Sequence, residues 1–582
     1  MILQALAGYY QRMAEEVGTE VAPEGFEKKD IPFIIVLDRQ GNFLGLDDTR
    51  MGEGKKKQAR IFTLPKGVKK ASNIAANLLW DSPSYVVGRP KLDPKKDKIK
   101  QEVRAREQFQ CFQDKIREAF PEDTHDEGVD SILRFLESER FNELFAHAFW
   151  KEIEERGANL SFRLDSDVCL VCQRSAVVSQ LLGNINSTNS ADGRQMCLVC
   201  GQPDDPTRLH TAIKGVWGAQ SSGANIVSFN LDAFRSFGKK QGNNAPVGKK
   251  AEFAYTTALN ALLVKGSRQR IQVGDASTIF WAKKKSDMED VFADIFGEPA
   301  KENLDQATKA IRILYEAPKA GTSPLTEDLT PFFVLGLAPN AARIAVRFWH
   351  AGTVGDTARH ILQHFEDCKM VHGPKQPEHL SLFRLLVSTA LQGKSENIPP
   401  DIAGEVMKVI LAGTPYPQTL LAAVIRRCRA EREVTYPRAA LLKAILARSA
   451  RLKFYQQTKK EVGMALDTGN SNIGYRLGRL FATLEKIQEE ANPGINATIR
   501  DRFYGAASGT PVAAFPHLMK LKNHHLSKLV NRGRAVNLEK IIGEIMDGII
   551  DFPTHLMLQD QGRFAVGYYH QRQAFFTKNE TN

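Results

Sequence analysis

The four letters CLVC occur twice in this sequence, at residues 169–172 and 197–200. Zinc binds thiolates at tetrahedral angles, and a CxxC turn offers two sulfurs from one bend of the chain. The spacing C-x2-C-x24-C-x2-C is a little longer than the usual range of a zinc ribbon. Such a site would be closed to substrate, because thiolates occupy every coordination position. We predict a structural Zn(II) held by Cys169, Cys172, Cys197 and Cys200.

Other interpretations of the cysteine pairs stay open from the sequence. Leu and Val separate the cysteines in both copies, so CLVC is also typical of an apolar strand with buried thiols. His210 could replace one cysteine as a ligand, although a solvent-facing or hydrogen-bonded histidine is the simpler interpretation. The chain has seven cysteines, an odd number, and four of them lie in close pairs. This usage indicates a reducing cytoplasm and argues against a disulfide framework.

A polar segment, GAQSSGAN, follows the second pair at residues 218–225. Its glycines and serines can bring backbone N–H groups close to phosphates. The amides of Gln220 and Asn225 can form paired hydrogen bonds with base edges. A polar surface loop without a ligand is the alternative for this composition. We predict that the DNA contacts of this region are Lys214, Gln220, Ser221, Ser222 and Asn225.

The charge of the chain favours a polyanionic partner. The 582 residues carry a formal net charge of +12, although solubility alone could account for it. Lys70, Asn73 and Asn77 lie close together and form a second candidate DNA contact, of the kind that minor-groove readers use. Trp217 could stack at a duplex fork, and a buried tryptophan is the alternative.

The predicted fold class is α+β, with more than one domain. A chain of this length exceeds a single hydrophobic core, and its apolar runs are too short to span a bilayer. We expect mixed α/β N-terminal and central regions, a zinc-ribbon-like subdomain and a C-terminal helical bundle. The predicted segments are 1–159 (N-terminal α/β domain), 160–285 (cysteine-containing subdomain with the polar DNA-contacting loop), 286–374 (mixed α/β region), 375–463 (helical region) and 464–582 (C-terminal helical bundle).

Short apolar runs predict individual strands. IPFIIVL and FLGL on either side of DRQGN indicate a hairpin, and PFFVLGL and ARIAVRFW indicate a second one around the turn APN. A helical region is expected from about 99 to 155, and a further helix is expected in GDTARHILQHFEDCKMV at 355–371, with Asp356 or Thr357 near its start. Further strands are predicted at ARIFTL, YVVG, SFRL and TIFWA.

Helical periodicity dominates the C-terminal part of the chain. Two apolar stripes are typical of bundle helices that bury one face. Arg479 and Lys486 fall away from the first stripe, so a basic outer face is expected. The stripes consist of Ile473, Leu477, Leu480, Leu484 and Ile487, and of Leu538, Ile541, Ile542, Ile545 and Ile549.

Several stretches together resemble the large subunit of the subtype I-C CRISPR Cascade complex. The resemblance covers nearly the whole chain, and the combination is specific although no single stretch is a catalytic signature. The paired cysteines are not part of the resemblance, so the zinc prediction stands apart from it. The matching stretches are FLGLDDTR, LLWDSPSYVVG, KGVWGAQSSGANIVSFNLDAFRSFGKKQGNNAPV, YTTALNALL, VLGLAPNAARIAVRFW, LGRLFATLEKIQEE and FAVGYYHQR.

The resemblance implies a non-enzymatic subunit of an RNA-guided assembly. Large subunits of this kind lie by the 5′ end of the guide RNA, read a short protospacer-adjacent motif (PAM) in duplex DNA and help to open the duplex. The target strand then pairs with the guide, and a separate helicase-nuclease is recruited to cut. The expected partners are the CRISPR RNA, double-stranded target DNA, that helicase-nuclease, and the backbone, guide-processing and small subunits of the complex.

The C-terminal domain of the family resembles the small subunits that line the displaced strand. For contact with the displaced or target strand we predict Arg476, Arg479, Lys520, Lys522 and Lys528. We also hypothesise that a separate polypeptide that starts at Met464 acts as a small subunit. A start-codon change at Met464 that left the stoichiometry of the complex unchanged would contradict this hypothesis.

The sequence shows none of the common catalytic motifs. There is no Walker A motif, GxSxG, HExxH or dinucleotide-binding fingerprint. The carboxylate pairs Asp47–Asp48 and Asp204–Asp205 could hold Mg(II), but both are in turn-rich sequence, where Asp forms local hydrogen bonds. Three alternatives stay open: a zinc-containing nucleic-acid-binding protein that acts alone, a metal-dependent nuclease, and a scaffold whose charge only serves RNA docking.

Overall fold

The protein is described here from a computed structural model, which describes residues 1–16, 21–52, 57–68, 70, 73–121, 126–187, 194–297, 306–315, 324–453 and 461–576. The chain forms two compact units. The N-terminal unit consists of Leu6–Thr211 and Phe229–Thr257, and the C-terminal unit consists of Met1–Ala5, Ala212–Ser228 and Ala258–Asn582. The predicted α+β class is confirmed, while the five predicted segments stay a prediction.

The strands, in chain order, are β1 (Phe26–Asp30), β2 (Phe33–Leu37), β3 (Phe43–Asp48), β4 (Ile61–Pro65), β5 (Trp80–Asp81), β6 (Leu160–Leu164), β7 (Gln195–Met196), β8 (Pro203–Asp204), β9 (Arg270–Val273), β10 (Ala276–Ala282), β11 (Pro331–Asn340) and β12 (Arg343–Thr353).

The helices are α1 (Ile2–Glu15), α2 (Pro83–Val86), α3 (Lys98–Ala119), α4 (Glu127–Ser138), α5 (Asn142–Ala146), α6 (Trp150–Arg156), α7 (Ser175–Ser187), α8 (Lys249–Leu263), α9 (Met288–Phe296), α10 (Gln306–Tyr315), α11 (Val354–Cys368), α12 (Leu382–Val387), α13 (Pro400–Ala412), α14 (Gln418–Glu431), α15 (Tyr436–Lys453), α16 (Ile473–Ala491), α17 (Ile499–Gly509), α18 (Pro511–Lys528), α19 (Arg532–Met546) and α20 (Leu558–Phe576).

The N-terminal unit is built on a four-stranded sheet of order β3-β2-β6-β5. The predicted hairpin is confirmed, because β2 pairs antiparallel with β3. On its other side β2 pairs in parallel with β6. Every residue of β2 is buried, which explains why its sequence is continuously apolar and not alternating. One apolar core from Ala22 to Leu181 joins this sheet to helices α3 to α7.

The C-terminal unit begins with an antiparallel sheet of order β12-β11-β10-β9. The predicted second hairpin is confirmed by the pairing of β11 with β12. Its turn consists of Ala341 and Ala342, because the letters APN belong to the end of β11. One core continues from this sheet through the helices that follow, from Ile271 to Tyr569. The C-terminal helices therefore share their core with the helices that precede residue 464.

Helices α16 and α20 lie closer together than ordinary side chains allow. A Cβ atom at Gly478 would lie 2.0 Å from the carbonyl oxygen of Phe564, and one at Gly567 would lie 2.2 Å from that of Tyr475. The absence of side chains at both glycines lets the two backbones touch. LGRLFATLEKIQEE and FAVGYYHQR belong to these two helices, so two of the stretches that carry the family resemblance form one close helix pair.

Two local predictions are wrong, and a third is confirmed. YVVG is not a strand, because Pro83 begins helix α2 and buries Tyr85 and Val86. By contrast, the helix expected at 355–371 is confirmed as α11, which has Asp356 in its first turn and is capped by the Thr353 side chain, which accepts from the Asp356 N–H at 3.0 Å. Arg479 does not lie on an outer face, and its side chain is buried in the bundle.

Within the described residues, no helix combines the length and the apolar character needed to cross a membrane.

Candidate functional site

Residues 213–225, here called the polar loop, are closed at their base by a pair of buried residues. Ile213 N donates to Ala224 O at 2.8 Å, and Ala224 N donates to Ile213 O at 2.9 Å. At the tip, Gly223 N donates to Gln220 O at 2.9 Å, and Gln220 Nε2 donates to Gly223 O at 3.1 Å. These bonds within the loop fix the shape of its tip.

The polar loop is attached to the turn of the β11–β12 hairpin through Asn225. Its backbone N–H donates to Ala342 O at 3.2 Å, and its carbonyl accepts from Ile344 N at 3.0 Å. Asn225 thus pairs like a short parallel strand beside Arg343. The backbone of Asn225 has a structural role, and its half-buried side chain leaves the predicted base contact untested.

The other side of the polar loop is attached to β10 and α8. Trp217 N donates to the buried Ser277 Oγ at 2.9 Å, and Lys214 N donates to Asn260 Oδ1 at 2.8 Å. Between these points Gly215 has a φ of 87°. A Cβ atom there would lie 2.4 Å from Leu263 O, so only glycine fits this close approach. The loop is therefore held at several points of one rigid frame.

The side chains that this frame presents are polar and exposed. Lys214, Gln220, Ser221 and Ser222 are all exposed. Trp217 is also exposed, at 62%, so the buried alternative is wrong for this tryptophan. A large exposed aromatic ring beside a lysine and two hydroxyls is an arrangement that can stack on a base and bind phosphate oxygens.

The second predicted cluster has a different character. The Lys70 ammonium lies 2.6 Å from Asp81 Oδ2 and 3.5 Å from the centre of the Tyr85 ring. Burial lowers the pKa of Lys70, and the hydrogen bonds that its ammonium donates to Asp81 only partly oppose this effect. Asn77 is buried, and its Oδ1 accepts from Val68 N at 3.0 Å. The third predicted residue, Asn73, has an exposed side chain.

The predicted basic residues of the C-terminal helices divide into two groups. Arg479 is 2% exposed and donates from Nε to Gln571 Oε1 at 3.1 Å. Arg476 is half-buried and donates from Nε to Asn470 O at 2.9 Å. On α18, by contrast, Lys520 and Lys528 are exposed. Lys522 lies on the same helix with its Nζ 3.4 Å from Glu539 Oε1. The available positive surface is therefore on α18 and not on α16.

The first CLVC belongs to the core of the N-terminal unit. Leu170 and Val171 are each 1% exposed, and Cys172 is fully buried. Burial raises the pKa of the Cys172 thiol to about 12, so it stays protonated at neutral pH. Cys169 alone of this pair is exposed. A protonated thiol in an apolar core is a poor metal ligand.

The second CLVC forms a turn whose backbone supports a thiolate. Cys197 Sγ accepts from Val199 N at 3.4 Å and from Gly248 N at 3.2 Å. Burial opposes ionisation of Cys197, but the N–H donors of Cys200, Gly248 and Val199 outweigh it and lower the pKa of Cys197. Burial and the neighbouring Cys197 raise the pKa of Cys200. Such N–H···S bonds fit a cysteine turn that holds a metal.

The two pairs are not assembled into one site. Within the ranges that the structure describes, which include all four cysteines, no group of three or more His, Cys, Asp or Glu side chains is placed to hold a metal ion. The second pair fits half of a zinc site and the first does not. His210, the alternative ligand considered from the sequence, is hydrogen-bonded instead, because its Nδ1 lies 2.5 Å from Tyr255 OH. Zinc binding stays a prediction.

The carboxylate pairs have structural partners. Asp204 Oδ2 accepts from Lys250 N at 3.1 Å at the start of α8, and Asp205 Oδ2 lies 3.0 Å from Lys249 Nζ. The other pair forms ion pairs as well, between Asp47 and Arg163 and between Asp48 and Arg50. Of these contacts only the one between Asp48 and Arg50 is local, and the other three join residues 44 to 116 positions apart, so the aspartates have structural partners that are mostly distant in sequence.

One exposed aromatic residue escaped the sequence prediction. Phe237, in the stretch RSFGKK, is 99% exposed. The available signal was the alternation of aromatic and basic residues, which is typical of single-strand binding surfaces. It was obscured because the stretch contains Ser and Gly and is followed by QGNN, the composition of an ordinary loop.

The molecule is thus a basic α+β protein that presents exposed polar and aromatic loops from rigid frames. A family model described as CRISPR-associated protein (Cas_Csd1) matches residues 6–576. The chain therefore belongs to the Cas_Csd1 family of CRISPR-associated proteins. No curated protein matches it.

Proposed function

We propose that this protein is the large subunit of a subtype I-C Cascade complex and that it reads the PAM in duplex DNA. Its partners are the CRISPR RNA, the target DNA and the backbone, guide-processing and small subunits. It acts in the cytoplasm and catalyses no reaction itself, and a separate helicase-nuclease is recruited to cut. Membership of the Cas_Csd1 family supports the assignment to a Cascade-type assembly.

The observation that carries the proposal is the construction of the polar loop. Its backbone is attached at Asn225, Trp217 and Lys214, while its tip side chains are exposed. A rigid backbone with exposed hydroxyl, amide and ammonium groups suits recognition of a duplex, because little conformational entropy is lost on binding. Base pairing with the guide then supplies sequence identity, while the protein supplies PAM contacts and positive charge.

Each polar side chain of the loop has a different task in this proposal. Lys214 neutralises a phosphate, which makes binding dependent on salt. Ser221 and Ser222 donate or accept at base edges or phosphates. Gln220 uses one N–H of its amide within the loop, so the carbonyl oxygen and the second N–H are the groups that it offers to DNA. Lys520 and Lys528 on α18 contact the backbone of an opened strand.

The test is selection of PAM sequences by the assembled complex. The full complex with guide RNA is mixed with duplexes that carry a matched target beside a randomised motif, and the bound fraction is sequenced. The triple variant Gln220→Ala, Ser221→Ala, Ser222→Ala should flatten the enrichment, because each good base contact contributes about 1–3 kcal/mol of discrimination. Gln110→Ala, an exposed glutamine of α3, is the control and should keep the enrichment.

The charge contribution is measured separately. Lys214→Ala should weaken binding similarly for all motifs and reduce the slope of log affinity against log salt by about 1. Lys394→Ala, another exposed lysine of the same unit, should change neither. An unchanged motif profile in the triple variant, with the complex intact, would refute the assignment of the loop.

Zinc is the remaining part of the proposal. The N–H donors around Cys197 support a metal-bound thiolate, and a bound zinc would stabilise the turn and supply no chemistry to the reaction. Metal analysis of the purified protein tests this directly. Zinc should be lost in Cys197→Ser and Cys200→Ser, and protein without zinc in the wild type would remove the claim.

A further inference from the structure

We propose that Phe237 is a stacking site for an unpaired base of a single-stranded nucleic acid. The inference rests on the proposed nucleic-acid role, but it concerns residues 235–240, here called the basic loop, which belong to the N-terminal unit. The phenyl ring of Phe237 is 99% exposed. A side chain of this size normally gains free energy by burial, so an entirely exposed ring suggests a partner that is added later.

The backbone at Phe237 is strained in a way that the fold alone does not explain. Its φ is +52°, and Gly238 follows with a φ of +72°. An aromatic residue rarely adopts the left-handed region, which glycine occupies without strain. Phe237 buries no ring here, so packing does not compensate for the strain. Such positions concentrate at functional sites, where the ring serves the ligand.

The basic loop is braced from inside by one side chain. Asn244 Oδ1 accepts from Ser236 N at 3.0 Å, while its Nδ2 donates to Gln241 O at 2.9 Å and to Lys239 O at 3.3 Å. At the foot of the loop a Cβ atom on Gly242 would lie 2.0 Å from Thr207 O. The loop therefore projects Phe237 from a fixed base, and a ligand finds the ring already in position.

The surroundings of the ring are positive. Arg235, Lys239 and Lys240 are exposed on either side of it. Asp232 is the one carboxylate in the sequence from 229 to 244. It lies 2.8 Å from Arg235, in an exposed pair that contributes little free energy and can open. A fully exposed aromatic ring between cations suits a base and its flanking phosphates, because the ring can stack on the base while the cations bind phosphate oxygens.

The ligand class follows from what the loop offers. A phenyl face stacks on any base, and lysines bind any phosphate, so this site reads no base edge. Neither a phenyl face nor an ammonium group distinguishes ribose from deoxyribose by itself, so DNA and RNA single strands should bind alike. A paired base is shielded on both faces within a duplex, so the site selects strands that are already open.

Photocrosslinking of the full-length protein tests the stacking contact. The probe is a single-stranded oligo(dT) of about 12 nucleotides, a length within the usual site sizes, with one 5-iodouracil. Irradiation should link this base to Phe237, as located by mass spectrometry. By fluorescence anisotropy, Phe237→Ala should weaken binding by about fivefold to a hundredfold, whereas Phe237→Tyr should retain it. The oligo(U) probe should behave like oligo(dT).

Two controls keep the result interpretable. Val168→Ala removes another side chain that is 99% exposed on the same unit and should leave binding unchanged. Phe237→Gly relieves the backbone strain, so it should unfold at an equal or higher temperature and still lose the stacking contact. Unchanged affinity and unchanged crosslinking in Phe237→Ala would overturn the proposal. The proposal would also be overturned if Phe237→Ala lost binding to a protein partner but kept its affinity for the single strand.

Failure of this proposal and failure of PAM reading can be told apart. Phe237→Ala should leave PAM enrichment by the assembled complex intact, because the polar loop is unaltered. The triple variant of the polar loop should leave single-strand crosslinking at Phe237 intact. Each variant therefore tests one loop, and a defect in both assays from the Phe237 variant would contradict the separation of roles.

Discussion

The two copies of CLVC have the same four letters and opposite environments. In the first copy Leu170 is 1% exposed, and in the second Leu198 is 57% exposed. The thiol of Cys172 has a pKa raised to about 12 by burial. Cys197, at the start of the second copy, has a pKa that backbone donors lower against the effect of burial. Identical letters therefore serve a hydrophobic core in one place and a backbone-supported thiolate in the other.

The difference arises from residues outside the motif. The first copy is continuous with helix α7 and packs into the core that surrounds β6. The second copy forms a turn, in which Gly201 N donates to Cys197 O at 2.9 Å and Gly248 approaches from a distant part of the chain. A motif search cannot separate these cases, since the N–H donor and the apolar neighbours come from elsewhere.

The largest expected effect separates the two leucines. Leu170→Ala should lower the free energy of unfolding of the N-terminal unit by about 2–5 kcal/mol, because it leaves a cavity in the core. Leu198→Ala should change it by less than about 0.5 kcal/mol, since the side chain is exposed. Denaturant unfolding of both variants measures the difference. Equal losses would show that the two copies share one environment.

A smaller effect separates the cysteines. Cys172→Ser places a hydroxyl in an apolar site and should destabilise the unit by about 1–3 kcal/mol. Cys200→Ser, at an exposed turn position, should have an effect within about 0.5 kcal/mol in metal-free protein. The measurement is thermal unfolding in the presence of a chelator. A greater loss from Cys200→Ser would contradict the assignment of the first pair to the core.

The pH dependence of stability should differ in sign between the copies. The folded pKa of Cys172 is raised, so its contribution is fully present below the unfolded pKa near 9 and is lost as pH rises towards about 12. The slope should be about 1.4 kcal/mol per pH unit in that window. The folded pKa of Cys197 is lowered, so its contribution is present at high pH and is lost as pH falls.

Subtraction isolates each cysteine in this experiment. Stability is measured from pH 8 to 10.5 for the wild type and for Cys172→Ala. The difference between the two curves should shrink with rising pH if Cys172 resists ionisation. A constant difference would show that the thiol ionises equally in the folded and unfolded chains.

The smallest expected effect concerns reactivity within the second pair. Cys197 contributes to the raised pKa of Cys200, so Cys197→Ala should increase the alkylation rate of Cys200 at pH 8 by a few-fold. Cys172→Ala should leave that rate unchanged. Iodoacetamide labelling followed by mass spectrometry gives both rates. A decrease in the Cys197 variant would mean that Cys197 activates its neighbour.

Hydrophobic periodicity correctly predicted strands and helices whose buried face can be recognised from the local sequence. The β2–β3 and β11–β12 hairpins and the stripes of α16 and α19 are in place, because a run of apolar residues with a clear period has few alternatives. The α+β fold class and the CRISPR-associated family could also be predicted, the family because the resemblance covered most of the chain. YVVG shows the limit, because a preceding proline started a helix in residues that favour strands.

The candidate sites were predictable only in part. GAQSSGAN is an exposed loop as expected, but its bonds to Ser277, Ala342 and Ile344 join residues far apart in sequence. Arg479 looked like a surface residue, yet it is buried and its Nε donates to Gln571 Oε1 on α20. Long side chains of this kind are placed by tertiary contacts that no local pattern records.

The attachment of the polar loop through backbone bonds has a consequence for how the protein can vary. Main-chain groups set the position of the loop, so Ala219, Ser221 and Ser222 can be exchanged without displacing the others, whereas the side chain of Gln220 also bonds to Gly223 O. An insertion of one residue in the β11–β12 turn would instead move the whole tip at once. Under the proposed role of the loop, a new DNA preference is therefore reachable by a few substitutions at the tip, whereas a change of length in the hairpin would abolish recognition altogether.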